Sequence, residues 1–162
     1  MKNRDEDIKD KHVLLKSFKS IRQIENIIKQ ICSSDINDIQ ISVLGKVEDV
    51  NFDTNFADSW KELKSYCSNK LQLASNFGMV SNSEIGTYFI AGFLAPMFLQ
   101  EINGKTIGAM STGFYGILRG LGIDQENVSG YSKALNKGGL ILIIRGNKSD
   151  IIKLKVNLQE LA

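Results

Sequence analysis

Apolar residues recur in the first third of the chain at strand spacing and then at helix spacing. Residues 12–18 (HVLLKSF) are apolar and β-branched, which is typical of a strand. Ser20 then begins a helix, because Gln23 follows three residues later as in a capping box and isoleucines recur on one helical face. Apolar positions alternate again over residues 39–43, which predicts a second strand that ends at Gly45. The pattern predicts a β-α-β unit.

The middle of the chain differs in composition from both ends. An apolar stripe around Trp60 predicts a further helix. From residue 71 to 123 only four side chains are charged and glycine is dense. Within this segment residues 87–93 have the β-branched and aromatic content of a third strand, and Pro96 marks its end or an edge position. The glycines between residues 104 and 120 predict a small-residue helix that another element can approach closely.

The last third of the chain is predicted to contain a helix, a strand and a second helix. Asp124 caps a helix that ends at residues 137–139 (Lys-Gly-Gly), where glycine provides the left-handed conformation common at helix ends. Residues 140–144 (LILII) are continuously apolar, which suits a central strand covered on both faces. Either Asn147 or Ser149 then caps a final amphipathic helix.

These elements predict a single α+β domain. Two β-α-β units with their helices on one face correspond to a ferredoxin-like βαββαβ sandwich. Residues 71–123 are interpreted as an inserted, Gly-rich, apolar helical segment, and the last helix as an addition at the C-terminus. The domain is expected to cover residues 12–162, because residues 1–11 carry charges and few apolar side chains and so predict a flexible arm.

Charge and composition exclude several classes of function. The 20 Lys and Arg nearly balance the 18 Asp and Glu, so no nucleic-acid partner is expected. One histidine, His12, and two cysteines, Cys32 and Cys67, cannot form a Cys/His zinc cage alone, so no metal or other cofactor is expected. The charged N-terminus lacks the apolar core of an export signal, which favours a cytoplasmic location.

Known catalytic motifs are incomplete. Residues 103–106 (NGKT) resemble the end of a phosphate-binding loop, but Leu99 stands where the loop needs its first glycine. Residues 120–125 begin as a dinucleotide fingerprint and place Gln125 at the third glycine. A nucleophile elbow of the type Gly-x-Ser-x-Gly does not occur. The sequence therefore predicts no catalytic residues and no enzyme.

One part of the chain resembles a known protein family. Residues 120–126 (GLGIDQE), Tyr131, and residues 138–143 (GGLILI) resemble the bacterial general-stress and low-temperature-induced proteins, in which this order follows a glycine-rich segment. The element order resembles the family loosely over residues 12–146, and residues 120–144 carry the specific match. The resemblance implies a ferredoxin-like domain of unknown biochemical activity that is associated with stress or cold, and it supplies no catalytic residues.

Self-association is the first function that these observations favour. The longest uncharged run, residues 85–100, has 16 residues and contains glycines and a proline. A spanning helix needs about 20 apolar residues, so membrane contact is expected to be peripheral at most. Apolar surfaces commonly form interfaces, so a non-enzymatic homo-oligomer is predicted. Its contact candidates are Gly116 and Gly120 in the glycine-rich segment and Tyr131 in the following helix.

Ligand binding is the alternative. Tyr88, Tyr115 and Arg119 stand near glycines and could line a cleft for a small ligand of a regulatory domain. Arg119 could contact an anion through two hydrogen bonds. The same residues could instead pack in the core, with Arg119 on the surface.

Overall fold

A five-stranded antiparallel sheet forms the centre of the protein. The computed structural model describes residues 11–34, 36, 39–46, 65 and 76–160. Its elements are, in chain order, β1 Lys11–Phe18, α1 Ile21–Cys32, β2 Gln40–Lys46, β3 Phe77–Asn82, β4 Gly86–Gly92, α2 Ala95–Leu99, β5 Glu101–Ile102, β6 Lys105–Thr106, a 3₁₀ turn Ile107–Ala109, α3 Ser111–Gly120, α4 Gln125–Asn136, β7 Leu140–Asn147 and α5 Lys148–Glu160.

The predicted central strand is confirmed. The strand order is β1-β7-β2-β4-β3, and β5 and β6 form a separate hairpin. In β7, Ile144 lies opposite Leu14 of β1, and Leu142 lies opposite Val43 of β2. All five residues of the apolar run at the start of β7 are buried, because the sheet is covered on both sides.

Helices cover both faces of the sheet, so the expectation of helices on one face is wrong. The first face packs against α1 and α5, through residues such as Ile24 and Ile151. The second face packs against α2, α3 and α4, through residues such as Phe98, Phe114 and Val128. Successive strand residues point to opposite sides, and the apolar runs of the central strands supply side chains to both layers.

The mixed α+β class is confirmed, and the ferredoxin-like topology is not. β1 and β2 run parallel with β7 between them and are joined through α1 on the first face. β4 and β7 run parallel with β2 between them and are joined through α2, α3 and α4 on the second face. Two such crossovers of the same hand would place their helices on one face, so these two have opposite hands. One of them departs from the usual right-handed connection.

The glycine-rich segment is part of the sheet and not an insertion. It contributes β3 and β4, and β3 was not predicted because Phe77–Asn82 contains glycine, serine and asparagine. Its helix, α3, begins at Ser111, whereas Gly104 lies with Asn103 in the tight turn of the β5–β6 hairpin, where both have positive φ. Of the predicted Trp60 helix the structure describes only Ser65, which is helical, and of the predicted arm only Lys11, which begins β1.

Three predicted helix caps are confirmed. The Ser20 hydroxyl accepts a hydrogen bond from the Arg22 amide (3.2 Å) in a complete capping box with Gln23. Asp124 Oδ1 accepts from the amide of the third residue of α4 (2.9 Å). Of the two candidates before α5, Asn147 accepts the backbone hydrogen bond, from Asp150 (2.9 Å). Each cap satisfies an amide that would otherwise lack an intrahelical partner.

Candidate functional site

The structure places the six predicted site residues at five separate positions on the second face. Tyr88 lies in the core, Tyr131 ties α4 to β1, and Tyr115 lines a small pocket. Gly116 and Gly120 line a groove on α3, and Arg119 is exposed at the end of the same helix. The predicted cleft of Tyr88, Tyr115 and Arg119 is therefore not assembled in the described structure.

Tyr88 is a buried structural residue. Its ring makes edge-on contacts with Phe98 and Phe114, with centroid distances of 6.2 and 5.7 Å. Its hydroxyl donates a hydrogen bond to the Gly108 carbonyl oxygen (2.7 Å), which also accepts from Asn82 Nδ2 (3.2 Å). Burial raises the pKa of Tyr88 far above its ordinary value, so the phenol stays protonated. The side chain therefore packs in the core.

Tyr131 connects two elements that are distant in sequence. The residue is half-buried, and its hydroxyl donates a hydrogen bond to the Leu15 carbonyl oxygen of β1 (2.7 Å). Burial raises the pKa of Tyr131. β1 is an edge strand of the sheet, so this bond fastens α4 to the edge.

We expect Tyr131→Phe to lower the free energy of unfolding by about 1 kcal/mol, because the ring remains while the hydrogen bond is lost. Urea denaturation measures the change. Tyr115→Phe is a suitable control, since Tyr115 is also half-buried on this face but its hydroxyl makes no hydrogen bond to a described residue. An equal loss in both variants would contradict a specific role for the bond to Leu15.

Arg119 closes the end of its own helix. Its Nη1 donates to the Ile123 carbonyl oxygen (3.3 Å), across the turn in which Gly122 has a positive φ. This bond directs the guanidinium along the chain that follows α3. The predicted anion contact together with Tyr88 and Tyr115 is not formed, because Tyr88 is buried and Tyr115 lines a pocket that Arg119 does not reach.

A surface groove of about 540 Å³ follows the glycines of α3, and we call it the glycine groove. Two cationic residues, Lys11 and Arg145, stand among its otherwise apolar walls. Met97, which the sequence reasoning did not single out, is 44% exposed there. The lining residues are Lys11, Val13, Met97, Ile107, Gly113, Gly116, Ile117, Gly120, Leu121 and Arg145.

The three glycines of this groove have different roles. A Cβ atom at Gly113 would overlap the carbonyl oxygen of Ile107, so this glycine permits α3 to pack on the 3₁₀ turn. A Cβ atom at Gly116 or Gly120 would meet nothing within 4 Å. Packing within the described structure thus explains Gly113 and leaves the other two without an internal contact.

Another groove, of about 990 Å³, is basic but does not form an anion site. Lys16, Lys19 and Lys137 stand around it, together with the backbone of Gly138 and Gly139. Both glycine amides already donate to carbonyl oxygens at the end of α4, at 3.1 and 2.8 Å. These amides are therefore occupied, and lysines on the surface do not by themselves define an anion position.

The residues that the structure describes hold no group of three or more His, Cys, Asp or Glu side chains that could bind a metal ion. None of their helices has the length and apolar character needed to cross a membrane.

No family model, curated protein or solved structure matches this chain. The resemblance of residues 120–144 to the general-stress proteins therefore stays a prediction. In the structure this stretch comprises the end of α3, the turn through Gly122, all of α4 and the first residues of β7.

Proposed function

We propose that this protein works by self-association through the glycine groove and not by catalysis. Gly116 and Gly120, both exposed helical positions of α3, carry the proposal. A glycine inside a helix costs about 1 kcal/mol relative to alanine. Alanine would fit at both positions, so the isolated chain gains nothing from glycine there. A second backbone that packs closely on this face would explain both residues.

The surroundings of the two glycines support a second copy of this chain as the partner. Helices pack at axial distances that depend on the side chains between them, and glycine permits the closest approach. Met97 is exposed beside the groove and would be buried in a contact. Arg119, the one charged residue of α3, does not line the groove, so this helix brings no like charges of its own to the contact between two copies. A twofold contact of α3 with its copy fits these features.

We expect Gly116→Leu to lower the oligomer mass while the free energy of unfolding of the monomer stays equal or rises. The side chain would block the contact between copies, yet within one copy its Cβ meets nothing within 4 Å, and leucine favours the helix. Size exclusion with light scattering measures the mass, and urea denaturation of dilute protein measures the stability. Gly116→Ala should act in the same direction with a smaller effect on mass.

Gly130→Leu is the matched control. Gly130 is also an exposed helical glycine with open space around it, but it lies on α4 outside the glycine groove. This variant should keep the oligomer mass. Equal dissociation of both variants, or an unchanged mass for Gly116→Leu, would reject the groove as the interface.

The proposal includes the biological setting that the sequence resemblance implies. On this view the protein is a cytoplasmic homo-oligomer associated with stress or low temperature. The observations that support association concern the glycine groove alone, so the setting needs a separate test. An immunoblot that measures the amount of this protein in the cells that naturally produce it, before and after a downshift in temperature, would test the setting.

A further inference from the structure

A second, smaller concave site lies on the same layer as the glycine groove but apart from it, and we call it the polar pocket. It has a volume of about 220 Å³ and lies between the β3–β4 turn, α3 and α4. Its polar lining residues are Glu84, Tyr115, Ser129, Ser132, Lys133 and Asn136. Buried Ile85 and Phe114 complete the wall, so one side is apolar. At about 30 Å³ per water, its volume equals roughly seven waters.

Two opposite charges line this pocket without pairing with each other. Glu84 and Lys133 are both exposed, and no salt bridge joins them in the described structure. Each retains its full capacity for charge-assisted hydrogen bonds. A molecule that carries an ammonium and a carboxylate could satisfy both at once.

One polar side-chain atom of a residue that lines the pocket has no hydrogen-bond partner among the described residues. The Ser132 hydroxyl is buried from solvent and makes no hydrogen bond. Such a group costs free energy as long as it has no hydrogen-bond partner. Close to it, Lys46 Nζ donates to the Oδ1 and the carbonyl oxygen of Asn136, both at 3.0 Å, which fixes that amide and leaves its Nδ2 as the group available to a ligand.

We propose that the polar pocket binds a small zwitterion of the free amino acid class. The ligand ammonium would contact Glu84 and the ligand carboxylate would contact Lys133. Once its side chain rotates toward the pocket, the Ser132 hydroxyl would form with a short polar side chain of the ligand the hydrogen bond that no described residue supplies. This inference goes beyond self-association, because the pocket shares no lining residue with the glycine groove.

The test is a titration of ¹⁵N-labelled full-length protein with L-serine, L-threonine, L-alanine and L-glutamine, followed by amide chemical shifts. We expect saturable shifts in residues 84–86 and 129–136 with at least one of the four. For that amino acid, the N-acetyl derivative and the carboxamide each lack one charge. Each should bind about tenfold more weakly or worse, because a charge-assisted hydrogen bond is lost.

Charge variants identify which side chain contacts the ammonium of the ligand and which contacts its carboxylate. Glu84→Gln should weaken binding of the free amino acid but not of its N-acetyl derivative, which has no ammonium. Lys133→Met should weaken binding of the amino acid but not of its carboxamide. Glu126→Gln changes an exposed carboxylate of α4 outside the pocket and should leave all affinities unchanged.

Ser132→Ala separates a ligand contact from a structural role. It removes a hydroxyl that has no partner, so the melting temperature should stay equal or rise, while affinity should fall about fivefold or more. Absence of saturable shifts with all four amino acids at about 20 mM, well above a weak Kd of about 1 mM, would overturn the proposal. Binding that is insensitive to both charge variants would overturn it too. Neither result bears on the oligomer mass, so failure here and failure of the self-association proposal are distinguishable.

Discussion

Tyr88→Ala is expected to lower the free energy of unfolding by about 3–5 kcal/mol, the usual range for an aromatic residue removed from a core. Tyr88 is completely buried and contacts the rings of Phe98 and Phe114, which also contact each other with a centroid distance of 5.8 Å. Its removal would leave a cavity between β4 and the helices of the second face. Guanidinium denaturation measures the loss.

Tyr88→Phe is the control that isolates the hydroxyl. It keeps the ring, and the Gly108 carbonyl oxygen keeps its hydrogen bond from Asn82, so we expect a loss of only about 1 kcal/mol. If Tyr88→Ala lowered the free energy of unfolding by less than about 1 kcal/mol, the core position would be contradicted and a position in a surface cleft favoured.

Because of the same hydroxyl, we expect the free energy of unfolding to depend on pH in the alkaline range. Burial raises the pKa of Tyr88 in the folded state above the value of about 10 expected in the unfolded chain. The contribution of the protonated phenol to the free energy of unfolding is therefore complete below about pH 10. Above that pH the unfolded chain loses a proton that the folded protein keeps, and stability falls by up to about 1.4 kcal/mol per pH unit. Tyr88→Phe should make the decline shallower above pH 10.

Gly113→Ala is expected to destabilise the protein by about 3 kcal/mol, the upper part of the range for overpacking. The added methyl group would overlap the carbonyl oxygen of Ile107. A backbone atom has less freedom to move away than the end of a side chain, so α3 would have to shift from the 3₁₀ turn and from its contacts with Phe98. Urea denaturation and the melting temperature measure the effect.

Gly116→Ala, one turn further along the same helix, should have the opposite sign. Alanine there meets no atom within 4 Å and favours the helix by up to about 1 kcal/mol. Both variants make the same chemical change in α3, so helix propensity alone would stabilise both. Equal stabilisation by the two substitutions would show that α3 does not approach Ile107 as closely as the structure has it.

Local signals in the sequence predicted much of the fold. The capping box at Ser20, the cap at Asp124 and the apolar run that begins β7 depend on neighbouring residues only, and the structure confirms them. The strand order depends on contacts between distant segments, which neither periodicity nor capping specifies. β3 escaped prediction because its pairing with β4, and not its composition, makes it a strand.

The candidate sites were less predictable. Glycine spacing indicated α3, but only the position of Ile107 distinguishes Gly113 from Gly116. Tyr88 has the same sequence surroundings, small and apolar, whether it lines a cleft or packs a core. The Ser132 hydroxyl gives no sequence signal at all, because its missing partner is a matter of three-dimensional packing.

The mass of the full-length protein in detergent-free solution tests the central claim most directly. Light scattering after size exclusion, at several protein concentrations, should give a mass of two or more whole chains of 18.0 kDa for the wild type and for Gly130→Leu. Gly116→Leu should give a lower mass under the same conditions. A wild-type mass of one chain at every concentration would contradict self-association through the glycine groove.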